Sequence, residues 1–172
     1  KIPAAIAFAQ ANKINRVTHS SPNPRYGIIA TGKAWTDVCQ AFREMGLNVE
    51  QLSGLGITVL KLAMPYPVDE AAIRDFATDL EEILVVEEKH RLTEMNVKDA
   101  LYALPSERRP RVIGRFDENG QMILPDWPEY TPDDIVRALS KRIAHFHTSE
   151  PIQSRLDFLQ ARSEQTAQRE LL

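Results

Sequence analysis

The chain has 172 residues, 43% apolar and 26% charged, with 21 basic and 24 acidic side chains for a formal net charge of −3. That is the length and usage of roughly one ordinary globular domain, which excludes collagen-like, coiled-coil and disordered readings of the whole chain. The balanced, slightly acidic charge gives no footprint for nucleic acid or an anionic membrane surface, and no apolar run approaches the roughly 20 residues of a membrane span.

Residues 1–13 carry Ile2, Ala5, Ile6 and Ala9 at helical spacing, which predicts a helix or an arm from a preceding segment. Thr18 to Arg25 is a Ser/Pro/Asn cluster with linker composition, so a domain boundary is expected near residue 24. Tyr26 to Thr31 is a short apolar run that reads as a buried strand. Trp35, Val38, Cys39, Phe42 and Met45 follow at steps of three and four, one face of a helix, with Gly46 where a C′ residue belongs. Ser53-Gly54-Leu55-Gly56 reads as a flexible connection, because it precedes a strand and so has the wrong order for a dinucleotide loop.

The pattern then repeats. Residues 57–63 form a second strand, stopped by Pro65 and Pro67, and Asp69 and Glu70 open a helix whose buried face is Ile73, Phe76, Ala77 and Leu80. Residues 83–87 form a third strand, and 92–104 a helix with Met95, Leu101 and Leu104 as core candidates. Residues 111–116 form a fourth strand, and Asn119-Gly120 turns the chain into a hairpin or a short excursion. Thr131-Pro132-Asp133-Asp134 starts a helix that continues through Ile135, Val136, Leu139 and Ile143. Beyond Ser149 only Ile152, Leu156 and Leu159 sustain a stripe, which predicts a helical arm. Strands alternating with helices predict an α/β fold in three layers, a mostly parallel sheet with helices on both faces. The expected organisation is an N-terminal arm or linker over 1–24, an α/β domain over 25–148 and a C-terminal helical arm over 149–172.

Ligands of open parallel sheets bind beyond the C-terminal ends of the strands. Thr31-Gly32-Lys33 lies at such an end and opens a helix, so it reads either as an anion site or as a steric turn. Glu87-Glu88-Lys89-His90 ends the third strand and offers acid–base groups, or an ion-pair cluster at a surface or domain interface. Met64 and Tyr66, at the end of the second strand, share that edge and suit a docking surface. His145 and His147 do not make a zinc site, since two ligands are too few. Cys39, on an apolar helix face, reads as a structural thiol. As the one cysteine it excludes an internal disulfide and a four-cysteine iron–sulfur cluster, and it fits a reducing compartment. No catalytic or metal-binding set is complete. The chain opens Lys1-Ile2-Pro3 with no signal-peptide pattern, so it is expected to be cut from a longer polypeptide.

Several segments resemble one family. Arg25 to Trp35 with Asp37-Val38, Val59 to Pro67, Glu82 to Lys89 followed by His90-Arg91, Arg109 to Gly114, and Leu124-Pro125 are similar to a domain of the fused indolepyruvate ferredoxin oxidoreductases. The resemblance covers roughly residues 12–143 and implies the fold of a transketolase C-terminal domain. It also implies thiamine-diphosphate enzymes that decarboxylate a 2-oxoacid oxidatively, pass electrons through iron–sulfur clusters to ferredoxin and form an acyl-CoA. The family's Gly-Asp-Gly motif for magnesium and the pyrophosphate is absent here, so no catalytic, cofactor-binding or metal residue carries over. The expectation is therefore a cytoplasmic, non-catalytic assembly domain. Its partners would be other domains of its own polypeptide, ferredoxin and coenzyme A at the level of the whole enzyme, and a second copy of itself. The alternatives are a small-anion or coenzyme A module, or the C-terminal domain of a transketolase or 2-oxoacid dehydrogenase.

Overall fold

Successive side chains of a strand leave on opposite faces, so a strand that is apolar throughout needs cover on both. The computed structural model describes residues 1–126 and 129–170, with side chains through residue 165. In it the three apolar runs become β2 (Tyr26–Thr31), β3 (Ile57–Leu62) and β4 (Glu82–Val86). β2 lies between β3 and β4 and is parallel to both. The short β5 (Arg111–Ile113) extends the sheet in parallel beyond β4. β1 (Arg16–His19) closes the other side antiparallel to β3, with a bulge between Val17 and His19. The five-stranded order is β1-β3-β2-β4-β5.

Four helices cover one face: α2 (Gly32–Glu44), α3 (Val49–Gly54), α6 (Pro132–Ile143) and α7 (Glu150–Glu170). There Ile28, Ala30, Val59, Leu84 and Val86 meet Val38, Phe42, Leu139 and Ile143. α4 (Glu70–Phe76) and α5 (Leu92–Tyr102) cover the other face, where Ile29, Leu60, Ile83 and Val85 meet Ile73, Val97 and Leu101. Burying each such Leu, Ile or Val contributes about 1.5–3 kcal/mol relative to exposure. The three-layer, mostly parallel architecture is the one the alternation predicts.

The helix ends follow from their residues. Gly46, at φ +70°, closes α2 by a Schellman motif: its N–H donates to Arg43 O, and Leu47 N–H to Phe42 O at 2.8 Å. Asp69 caps α4 by accepting Ala72 N–H, and Thr131 with Asp134 forms a capping box on α6.

Some elements depart from expectation. β1 takes four residues from the stretch read as arm and linker, because Thr58 Oγ1 donates to His19 O and ties it to β3. α3 forms in the stretch just ahead of the second strand, nucleated by a capping box between Asn48 and Gln51. The fourth strand stops at Ile113, while the hairpin forms in short form: Phe116 bridges Met122, Asp117 N–H donates to Gln121 O at 2.9 Å and Ile123 N–H to Arg115 O at 2.9 Å. Met95, expected in the core, is 65% exposed; α5 instead buries Thr93, Glu94, Val97, Ala100 and Leu101. α7 runs as a helix with Ile152 and Leu159 buried, and the last two residues of the expected C-terminal arm lie outside the described residues. α1 (Ile2–Ala11) is helical, apolar on all sides, and buries only Ala9.

Candidate functional site

Chain order decides where a crevice forms. From β2 the chain leaves through α2 toward β3 on one side; from β4 it leaves through α5 toward β5 on the other. The C-terminal ends of the adjacent strands β2 and β4 therefore flank a topological switch point. Thr31, Gly32 and Lys33 stand on one side of it and Glu87, Glu88, Lys89 and His90 on the other, so the structure brings these two predicted clusters together.

Their side chains are already engaged. Gly32 takes φ +52°, which starts α2 and sets Lys33 in its first turn. Lys33 Nζ donates to Asp37 Oδ2 at 2.8 Å and to the Tyr130 carbonyl at 2.7 Å. It also lies 3.8 Å from Glu88 Oε1 and 3.6 Å from Glu129 Oε1. The hydrogen bond to Asp37 raises the Lys33 pKa above its ordinary value. Glu88 Oε1 accepts the Tyr130 N–H at 3.1 Å, so Tyr130 is held at both its amide and its carbonyl, with its ring buried. Burial raises the Tyr130 phenol pKa.

Glu87 is spent on α5. Its two oxygens accept Thr93 N–H at 2.6 Å and Glu94 N–H at 2.7 Å, which caps the helix and satisfies its dipole. Lys89 takes φ +65°, and its carbonyl accepts from Arg115 at 2.6 Å. Arg115 also pairs with Asp126. His90 and Tyr66 are exposed. The Met64 N–H donates to Asn15 Oδ1, which fixes that strand end to the segment leading into β1.

The main charged group that sequence reasoning missed is Glu94. It is only 2% exposed and accepts from Arg91 at 2.5 Å, Lys98 Nζ at 2.6 Å and the Arg115 N–H at 3.2 Å. Burial alone would raise its pKa; the hydrogen bonds from Arg91, Lys98 and the Arg115 amide outweigh burial and hold it down to about 2. Gly114 leaves room for this carboxylate, since a Cβ there would overlap it. The sequence signal was the i−3 and i+4 spacing of Arg91 and Lys98 about an acid in a helix.

Among the described residues at this edge, no nucleophile is hydrogen-bonded to a base. No group of three or more His, Cys, Asp or Glu among the described residues could hold a metal ion. His145, exposed, and His147, half-buried, follow the end of α6, and Cys39 lies half-buried on α2, away from this edge. No described helix is long and apolar enough to cross a membrane.

The parallel three-layer sheet with its antiparallel edge strand places the chain in the α/β class seen in a split-gene transketolase, solved as an inactive beta4 tetramer. The two superpose with a TM-score of 0.51 at 18% identity, over 76% of this chain and 41% of that one. The family model for the indolepyruvate oxidoreductase domain matches residues 16–166, and the chain belongs to that family. The indolepyruvate oxidoreductase subunit IorA of Methanothermobacter marburgensis is 34% identical over 133 residues, and that of Methanothermobacter thermautotrophicus 29% over the same length. Each alignment covers 77% of this chain, but only 19% of the relative, so the chain spans about a fifth of the curated relatives it matches.

Proposed function

We propose that this chain is a non-catalytic assembly domain of a cytoplasmic, thiamine-diphosphate-dependent indolepyruvate ferredoxin oxidoreductase. That enzyme would oxidatively decarboxylate an aryl 2-oxoacid to an acyl-CoA with ferredoxin as acceptor. The observation that carries this reading is the filled switch point. The place where the fold would receive a ligand is occupied by the chain's own Lys33–Tyr130–Glu88 contacts and by Glu87 capping α5.

Thiamine diphosphate does not fit these residues. A diphosphate needs free N–H donors and an uncommitted cation. Here Glu87 takes the α5 amides, and Glu88 and Glu129 flank Lys33 with like charge to the incoming anion. The single cysteine is three short of a [4Fe–4S] site. In this reading thiamine diphosphate, magnesium and the clusters belong to other domains of a longer polypeptide. The rival small-anion or coenzyme A reading needs Lys33 free, and the family match takes the place of a transketolase or 2-oxoacid dehydrogenase origin.

In the same proposal the expected arms shorten to residues 1–15, ahead of β1, and to the part of α7 beyond Leu159, and these lead to neighbouring domains. α1 supports that role: a ten-residue helix, apolar all round, with Ile2 and Phe8 exposed, is stable when something covers it. Calorimetric titration with thiamine diphosphate plus magnesium, with coenzyme A and with indolepyruvate tests the reading. The expected result is no binding heat with the first two, and any heat with indolepyruvate is unchanged in Lys33→Met. Saturable binding of thiamine diphosphate with magnesium would overturn it, and binding of coenzyme A alone would move the function to the rival reading.

A further inference from the structure

A second concavity lies away from the switch point, where β1 meets α2 and α3. It encloses about 350 Å³, at the lower end of the range of about 300–1,000 Å³ typical of small-molecule sites. Trp35, Phe42, Leu47 and Leu52 give it apolar walls.

Most polar groups around it are used up. Thr18 Oγ1 accepts from Trp35 Nε1 and donates to the Val59 carbonyl, and Asn48 Oδ1 accepts the Gln51 N–H. Three are not. His19 Nε2 is buried with no hydrogen-bond partner, a state that costs about 1–3 kcal/mol unless something satisfies it. Burial lowers the His19 pKa below its ordinary value, which favours the neutral imidazole. Arg43, on the lining, has only a 3.4 Å hydrogen bond to Gln40 Oε1 and no ion pair among the described residues. Lys61 sits 4.0 Å over the Trp35 ring and likewise makes no ion pair among them. Burial raises the Cys39 thiol, and the charges that act on it are those of Arg43 and Lys61, both positive.

Apolar walls, an aromatic plate, two cations with no ion pair among the described residues and one orphaned ring nitrogen describe a specific occupant. We infer that this groove binds an amphipathic organic anion, a flat apolar body carrying one carboxylate. The body packs on Trp35 and Phe42, and the carboxylate meets Arg43 and accepts from His19 Nε2. The bulge that displaces β1 between Val17 and His19 is what re-aims this stretch of the edge strand.

Cys39 lines the groove and is the chain's one cysteine, so its alkylation reports occupancy directly. The experiment follows N-ethylmaleimide labelling of Cys39 by mass spectrometry. The probe is 2-naphthoate, set against 2-naphthalenemethanol, which has the same body without the charge. Naphthoate is expected to protect Cys39 saturably and at about tenfold lower concentration than the alcohol, the factor a charge-assisted hydrogen bond supplies. Arg43→Gln, at an exposed position, should abolish that difference and leave protection by the alcohol unchanged. Absence of protection by millimolar naphthoate would overturn the inference. So would equal protection by acid and alcohol that Arg43→Gln does not alter.

Discussion

The switch-point edge and the groove beside β1 both collect cations, aromatic rings and strand ends, yet they differ in what their polar groups are doing. At the edge, Lys33 has two strong acceptors and two nearby carboxylates, and Glu87 and Glu94 fill their oxygens with N–H donors. At the groove, Arg43 on its lining and Lys61 over the Trp35 ring make no ion pair among the described residues, and His19 Nε2 has no hydrogen-bond partner among them. Position on the fold marks the first as a site; spare bonding capacity marks the second. A buried polar group that is fully paired holds structure together, whereas one left open is a cost that a ligand removes.

Three substitutions sharpen that contrast by attacking the edge and sparing the groove. Gly114→Ala has the largest expected effect. Its Cβ would strike Glu94, which Arg91 and Lys98 hold in place, so stability should fall by about 3 kcal/mol in urea denaturation. Glu94→Gln should cost about 2 kcal/mol, the value of charge-assisted hydrogen bonds. It should also flatten the acid limb of the stability curve. With a folded pKa of about 2 against the ordinary 4.5, the wild-type Glu94 contribution is complete above pH 4.5 and is lost as pH falls from there toward 2. A Glu94→Gln curve that keeps the wild-type slope in that window would show that the carboxylate is not the group responsible. Lys33→Met should have the smallest effect, about 1 kcal/mol, with faster amide exchange at Tyr130. Cys39 protection by naphthoate should be unchanged in all three; a loss in Lys33→Met would mean that the two regions are one site.

The buried strands were the most legible part of the chain, because β2, β3 and β4 are apolar runs that a covered sheet requires on both faces. β1 was not legible: Arg16, Val17 and Thr18 are all exposed, so four edge residues leave no period to read. The phase of α5 was misread at Met95 because its apolar residues lie on two faces, and the buried Glu94 sits where an acid is ordinarily solvated. Thr31 to Lys33 and Glu87 to His90 could be placed at one edge from strand ends alone. The bond from Lys33 to Tyr130 could not, since it joins residues 97 apart. The groove was hidden for the same reason, as His19 and Cys39 meet only after β1 has joined the sheet.

The bulge in β1 carries a consequence for how copies of this chain can meet. A regular edge strand is a template, and a second sheet can continue from it by backbone pairing alone. Here the pairing partner shifts between Val17 and His19, and the strand is four residues long with Arg16 exposed at its start. The margin is too short and too twisted to serve as a seam, so the sheet ends where it stands. At this edge self-association is left to side chains on helices, where Ile2 and Phe8 of α1 and Met95 and Tyr102 of α5 are exposed, and it can stop at a small closed number instead of growing into a ribbon.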